Sequence, residues 1–374
     1  MANAQAFIAE LLAPADIQIN GNRPWDMQVR ETDFLNDVLA RGNLALGEAY
    51  MAGDWDCDQL DVFFCRLLAH KVHEHIKPSR LLWHHLKGRL FNLQSKKRAW
   101  QVGEHHYDLG NRLYRAMLDE RMVYTCGYWE HAQDLNRAQQ DKLELVCQKL
   151  QLKPGMKVLD IGCGWGSFMK YAAENYGVEC VGATVSKAQV ELGEQLCQGL
   201  PIEFRLQDYR QLNESFDAVV SIGMFEHVGQ RNYREFMNVA ANCLNPDGLF
   251  LLHTIGRNRD VRGTDPWISK YIFPNGDLPT LAHIDTASRD LMCAEDVHNF
   301  GADYDPTLMA WYQNFEREWP ELQQHYDERF FRMWRYYLMS CAGAFRARDL
   351  QVWQWVFSKK AHIGGYRRPS LQVE

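Results

Sequence analysis

Short apolar runs at residues 157–161, 179–184, 203–207, 217–222 and 249–254 each follow a turn signal, such as Pro154-Gly155 or Pro246-Asp247-Gly248. Their length and composition predict buried strands. Helical spacing of apolar positions fills the intervals, clearest at 134–150 and 167–175. Strand and helix in alternation predict an α/β unit with a parallel sheet and crossover helices. The pattern upstream differs: helical stretches near 4–13 and 33–41, then a Gly-rich middle over 42–53. A further helix is predicted at 109–118, and beyond about residue 300 the chain is rich in aromatic residues and helix formers. This organisation predicts a small N-terminal unit over 1–90, a polar and basic linker over 91–104, and a larger α/β unit over 105–374.

At 374 residues the chain exceeds one small domain, since domains average about 150 residues. Its 46% apolar and 24% charged residues are ordinary for a globular protein and exclude long disorder, collagen and coiled coil. Ten cysteines with no Cys-x-x-Cys pair and no zinc spacing point to a reducing compartment and no metal site. The N-terminal residues lack a basic stretch and a long apolar core, so no secretory leader is expected. No run of about 18 apolar residues occurs, so no spanning helix is expected either. The location predicted is the cytoplasm, with contact only at the inner face of the membrane.

Charge is uneven. Over residues 71–98, eight basic side chains (Lys71, Lys77, Arg80, Lys87, Arg89, Lys96, Lys97 and Arg98) face one acid, Glu74, whereas the whole chain carries −7. Leu81, Leu82, Trp83, Leu86, Leu90 and Phe91 are interleaved with them. Such a segment suits a helix lying on anionic lipid, or a solvated basic helix packed through Leu and Trp. Nucleic acid fits poorly, because the rest of the chain is acidic.

The strand Val158-Leu159-Asp160-Ile161 runs into Gly162-Cys163-Gly164-Trp165-Gly166, a Gly-x-Gly-x-Gly loop that opens a helical pattern. Glycines let a backbone approach a ligand, and the carboxyl ends of parallel strands are where open α/β sheets bind one. The spacing is neither the Gly-x-Gly-x-x-Gly dinucleotide fingerprint nor a P-loop. With Leu-Asp before it and a second strand about twenty residues on, it resembles motif I of the class I (Rossmann-like) S-adenosylmethionine-dependent methyltransferases. Many enzymes of that class end the second strand on an acid that takes the ribose hydroxyls. Here Gly182-Ala183-Thr184-Val185-Ser186-Lys187-Ala188-Gln189 has none, which leaves Thr184, Ser186 and Gln189 for the polar contacts. The resemblance places Gln207 and Asp208 at the adenine edge; the plain alternative for Asp208 is an exposed loop acid.

Several segments together carry a narrower resemblance: Tyr124-Thr125-Cys126-Gly127-Tyr128-Trp129, Met224-Phe225-Glu226-His227-Val228-Gly229, His253-Thr254-Ile255-Gly256, and Trp267-Ile268-Ser269-Lys270-Tyr271-Ile272-Phe273-Pro274-Asn275-Gly276. His106-Tyr107-Asp108-Leu109-Gly110-Asn111 and Asn299-Phe300-Gly301-Ala302-Asp303-Tyr304 belong with them. The chain resembles the cyclopropane-fatty-acyl-phospholipid synthase family, and its first unit resembles the lipid-binding domain of the phospholipid-acting members. The resemblance implies transfer of the methyl carbon of S-adenosylmethionine to a cis double bond of a phospholipid acyl chain, closing a cyclopropane ring through a carbocation. It implies a homodimer working at the bilayer surface. Tyr124, Thr125, Asp160, Gly162, Gly164 and Gly166 would join the residues already named around the cofactor.

The same resemblance implies a bound bicarbonate as the base, held by Cys126, Glu226, His253, the backbone at Ile255, and Tyr304. The set is chemically sensible: His253 and Tyr304 can donate hydrogen bonds to an anion, and Glu226 can accept from its hydroxyl. A nucleophile reading of Cys126 finds no base at a suggestive spacing. Cys341 has a catalytic role within the family, but a small buried apolar role suits its surroundings in Ser340-Cys341-Ala342-Gly343 better. Aromatic faces for a cation are offered by Tyr304, Trp311, Tyr312, Phe315 and residues 330–337, most of which also suit core packing. Two rival functions remain at this level: methylation of a small molecule, and a silent lipid-binding protein that keeps the fold.

Overall fold

A computed structural model describes residues 2–72, 110–261 and 263–371 of the chain. The 91–104 linker, the basic stretch beyond Val72, and His106-Tyr107-Asp108-Leu109 lie outside the described residues. Contacts divide the chain into two units. The first gathers Met1–Asn92, Val261–Asn275 and Tyr304–Leu350, and the second Leu93–Asp260, Gly276–Asp303 and Gln351–Glu374.

In the first unit the helices Ala2–Leu12, Phe34–Arg41, Asn43–Ala52 and Leu60–Ala69 accompany a two-stranded antiparallel ribbon of β1 (Gln28–Val29) and β2 (Trp55–Asp56). The sequence pattern draws the boundary of this unit near residue 90. The fold instead adds two long helices from late in the chain, Tyr304–Leu322 and Glu328–Arg346, and the short Pro266–Tyr271. The reason is burial. Glu328–Arg346 turns Trp334, Tyr336, Leu338, Ala342 and Phe345 inward, and packs on both Leu60–Ala69 and Asn43–Ala52. Close approach needs small residues: a methyl group on Gly343 would sit 2.6 Å from the Asp61 carbonyl oxygen. Partly buried ties complete it, with Arg346 Nε donating to Asp305 (2.8 Å) and Arg346 Nη1 to Asp61 (2.7 Å).

The second unit is built on a seven-stranded sheet. Its strands are β3 (Lys157–Ile161), β4 (Glu179–Thr184), β5 (Ile202–Leu206), β6 (Phe216–Ile222), β7 (Leu244–Arg257), β8 (Cys293–Asn299) and β9 (Leu350–Ser358), in the order β5-β4-β3-β6-β7-β9-β8. The first five in that order are parallel, and β8 runs antiparallel to β9. Alternation along β3 feeds both faces, as a two-residue period requires. Leu159 and Ile161 pack with Val219, Phe236 and Phe250 on one face; Val158 packs with Val220, Leu251, Val146 and Met169 on the other.

The helix Leu135–Lys149 starts where the Asp134 carboxylate accepts from the Arg137 N–H at 2.9 Å. It buries an unusual pair, Lys142 and Lys149, at 1% and 0% exposure. Five strands stand where the apolar runs predict them, within one residue for four and with β7 extended at both ends. The aromatic segment after residue 300 hides β9, whose run Val-Trp-Gln-Trp-Val-Phe is buried throughout. A short, largely apolar run without alternation fits a buried helix as well as a strand.

Candidate active site

The glycine loop leaves β3 at its carboxyl end. Gly162, Gly164 and Gly166 have φ of +85°, +55° and +83°, a region that L side chains enter only with strain. Two of the three are also crowded: a methyl group on Gly162 would lie 2.6 Å from Met224, and one on Gly166 would meet the ring of Phe204 at 2.5 Å. Gly164 alone faces open space, with no atom within 4 Å of such a methyl. Asp160, just before the loop, is 3% exposed, and its Oδ1 has no hydrogen-bond partner. Burial raises its carboxyl to about 7, partly opposed by the charge of Lys142. An orphaned buried carboxylate oxygen beside an open glycine backbone fits a ligand that brings its own donors.

At the end of β4 the three polar residues form one cluster. Thr184 Oγ1 donates to Gln189 Oε1 (2.7 Å) and accepts from the Ser186 N–H (3.2 Å), and Ser186 caps the helix Lys187–Leu196 through the Gln189 N–H. The Gln207 N–H is tied to the Thr184 carbonyl at 2.9 Å. Asp208 is 5% exposed, so it is no exposed loop acid, and its carboxylate takes two bonds from the Arg210 guanidinium, at 2.8 and 2.7 Å.

Tyr124 and Thr125 lie on a segment held to this end of the sheet. The Thr125 carbonyl accepts from Gln139 (2.8 Å), its hydroxyl accepts from Lys142 (2.9 Å), and its methyl fills the space a side chain at Gly223 would need. Tyr124 meets Tyr114 edge-on, and Tyr114 leans on Trp165 in the glycine loop.

Of the anion set, Glu226, Ile255 and His253 come together. Glu226 sits on the 3-10 turn Phe225–His227 after β6, and its Oε1 accepts the Ile255 N–H at 2.6 Å. Its Oε2 is buried without a partner, and burial raises the carboxyl to about 7. His253 pairs with Ile222 across β6 and β7 and is 1% exposed. Burial, then the charges of Lys142 and Lys149, hold its ring well below the usual histidine range, so it is neutral. Cys126 is fully buried and its thiol donates to the Gly127 carbonyl. His227, on the same turn as Glu226, is held neutral by burial, at about 4.

Tyr304 and Cys341 belong to the first unit. Tyr304 opens the helix Tyr304–Leu322 with its ring 4.5 Å from that of Phe345 and edge-on to Trp311. Cys341, half-buried, has its thiol pushed up to about 12 by burial, so no thiolate stands there near neutral pH. Trp311, Phe315, Trp334 and Tyr336 are core of the same unit.

Three site residues have no counterpart in the sequence reading. Lys142 contributes its charge to Asp160, His253 and Cys126, and burial draws it down to about 8. Lys149 and Gln354 stand behind His253. One signal was present: Leu135, Lys142 and Lys149 recur every seven residues, two helical turns apart on one face, and Leu135 is apolar.

Residues 94–355 match the family model described as mycolic acid cyclopropane synthetase. The chain is 53% identical over 362 residues to the cyclopropane-fatty-acyl-phospholipid synthase of Escherichia coli (strain K12), covering 95% of this chain and 93% of the relative. The chain belongs to the cyclopropane-fatty-acyl-phospholipid synthase family. Solved relatives agree in fold. The cyclopropane synthase MmaA2 from Mycobacterium tuberculosis superposes with a TM-score of 0.66 at 31% identity, over 70% of this chain and 98% of its own. The mycolic acid cyclopropane synthase CmaA1, solved with SAH and CTAB, gives 0.65 at 32% identity, over 70% and 98%. Membership of this family makes the chain an S-adenosylmethionine-dependent methyltransferase, and the glycine loop with its unpartnered Asp160 oxygen fits that cofactor.

Proposed function

We propose that this enzyme converts cis double bonds in phospholipid acyl chains to cyclopropane rings, with bicarbonate as the base. One observation supports a phospholipid over a mycolic acid. MmaA2 covers 70% of this chain and is itself nearly used up, whereas the similarity to the E. coli phospholipid enzyme extends over 95%. The additional length includes N-terminal sequence, which we assign to lipid handling.

S-adenosylmethionine, when bound, supplies an electrophilic methyl carbon. An isolated alkene is a poor nucleophile, so the protein's task is alignment and exclusion of water rather than activation of the alkene. Gly164 offers backbone without a side chain, and Thr184, Ser186, Gln189 and Asp160 offer polar contacts. Ring closure needs a base that a neighbouring cation does not alkylate. Glu226, through its unpartnered Oε2, and neutral His253 fit a small anion that is both a donor and an acceptor, and bicarbonate held there would supply a weakly nucleophilic base. Cys126 and the Ile255 backbone complete the proposed set within the second unit. The enzyme is proposed to act as a homodimer on the cytoplasmic face of an anionic bilayer, through the basic residues of 71–98. Among the described residues no helix is long and apolar enough to cross a membrane.

Incubation with radiolabelled S-adenosylmethionine and vesicles of unsaturated phospholipid tests the reading. Label in a cyclopropane acyl chain supports it. Label in a water-soluble product, or no transfer, refutes it.

A further inference from the structure

Behind His253 lies a buried chain of polar groups that the methyl-transfer chemistry does not use directly. Lys149 Nζ donates to Gln354 Oε1 at 2.8 Å and lies 3.0 Å from His298 Nδ1. Gln354 Nε2 lies 3.2 Å from His253 Nδ1. Lys149 and Gln354 are both fully buried, one at the end of the helix Leu135–Lys149 and the other in the middle of β9. A buried amine and a buried amide at the heart of a sheet are costly unless each bond is made.

The bonds leave little choice of orientation. Burial draws Lys149 down to about 7, and below that pH it is an ammonium that only donates, so it requires the oxygen end of the Gln354 amide. The NH2 end then faces His253, and an NH2 group can only donate to the ring. Nδ1 must therefore be the bare acceptor nitrogen, and the hydrogen of the neutral imidazole must reside on Nε2. We infer that Lys149 and Gln354 are positioning residues that fix His253 in the Nε2–H tautomer, leaving Nε2–H as the ring's single donor for the anion in the active site. His298, held neutral at about 4 by burial first and the Lys149 charge next, accepts the second amine hydrogen and keeps Lys149 in place. Partners behind a working histidine often set its tautomer in this way.

The inference deepens the reading of His253 as an anion donor and rests on it, so the test separates the two. Nitrogen-15 spectra of the histidine-labelled full chain, with the His253 signal identified by its loss in His253→Asn, report which ring nitrogen carries the hydrogen without any turnover. The expected wild-type pattern at pH 6, with Lys149 charged and His253 still neutral, is hydrogen on Nε2. Gln354→Glu presents an acceptor to both Lys149 and the ring, so it should move the hydrogen to Nδ1 and lower kcat by on the order of 100-fold. The KM for S-adenosylmethionine should stay within about twofold, as uniform loss of binding would not do. Hydrogen on Nδ1 in the wild type, or a Gln354→Glu enzyme that switches tautomer yet keeps its kcat, overturns the inference. A wild-type ring with hydrogen on Nε2 in a protein that makes no cyclopropane would sink the proposed reaction instead.

Discussion

Glu226 shows how much a single residue gives up to the site. Its carboxyl accepts one backbone hydrogen, from Ile255, and leaves the other oxygen buried and unanswered. Burial lifts its pKa from 4.5 to about 7. The folded state therefore holds the proton more tightly than the unfolded chain. The stability gained from that is complete below about 4.5 and is lost as pH rises through about 7. Glu226→Gln keeps an oxygen for the Ile255 N–H and removes the charge. It should melt at a higher temperature than the parent at pH 8, with the gap closing toward pH 5, while losing about 100-fold or more in turnover and retaining SAH binding. Calorimetry at the two pH values together with a vesicle assay checks this. Equal melting temperatures at pH 8, or near-normal turnover, would contradict it.

Among elements, the helix Leu135–Lys149 carries more of the site than its sequence declares. It supplies Gln139 and Lys142 to the Thr125 segment and Lys149 to the His253 relay. A lysine ordinarily marks a solvated helix face, and only its heptad spacing with Leu135 hints that this face is buried. Lys142→Met keeps the length of the side chain and removes the cation beside Asp160. The Asp160 carboxyl should then rise further above 7, and titration calorimetry at pH 7.5 should show SAH binding weakened roughly tenfold, equivalent to ~1.4 kcal/mol. Unchanged affinity would remove Lys142 from the cofactor site. The strands β3, β4 and β6 were legible because short apolar runs between turn residues have few other fates. The bond from Glu226 to Ile255 was not, since it joins a turn after β6 to the end of β7, and only strand order brings those together.

At the scale of the whole molecule, composition draws one boundary near residue 90, while contacts place the helices Tyr304–Leu322 and Glu328–Arg346 with the N-terminal segment. Their apolar faces have no signature of destination: the same Trp334 and Phe345 would satisfy any partner of matching shape. The family resemblance was legible because its motifs are short and local, several of them at the ends of β3, β6, β7 and β8, where sequence is read without knowing the fold. The basic stretch offers a test of the membrane proposal. Neutralising Lys96, Lys97 and Arg98 together should weaken sedimentation with anionic vesicles and flatten its dependence on salt. Binding that is unaltered at every salt concentration would return those residues to an ordinary solvated surface.

Cyclopropane formation differs from plain methylation in which hydrogen is lost, since ring closure takes it from the transferred methyl group and methylation takes it from the substrate, and isotope labelling makes that difference weighable. With S-adenosylmethionine carrying a fully deuterated methyl group and vesicles of mono-unsaturated phospholipid, mass spectrometry of the acyl chains reads the outcome directly. The account predicts a product that has gained one carbon and two deuterons and has lost its alkene. A product retaining all three deuterons as a methyl branch would contradict it.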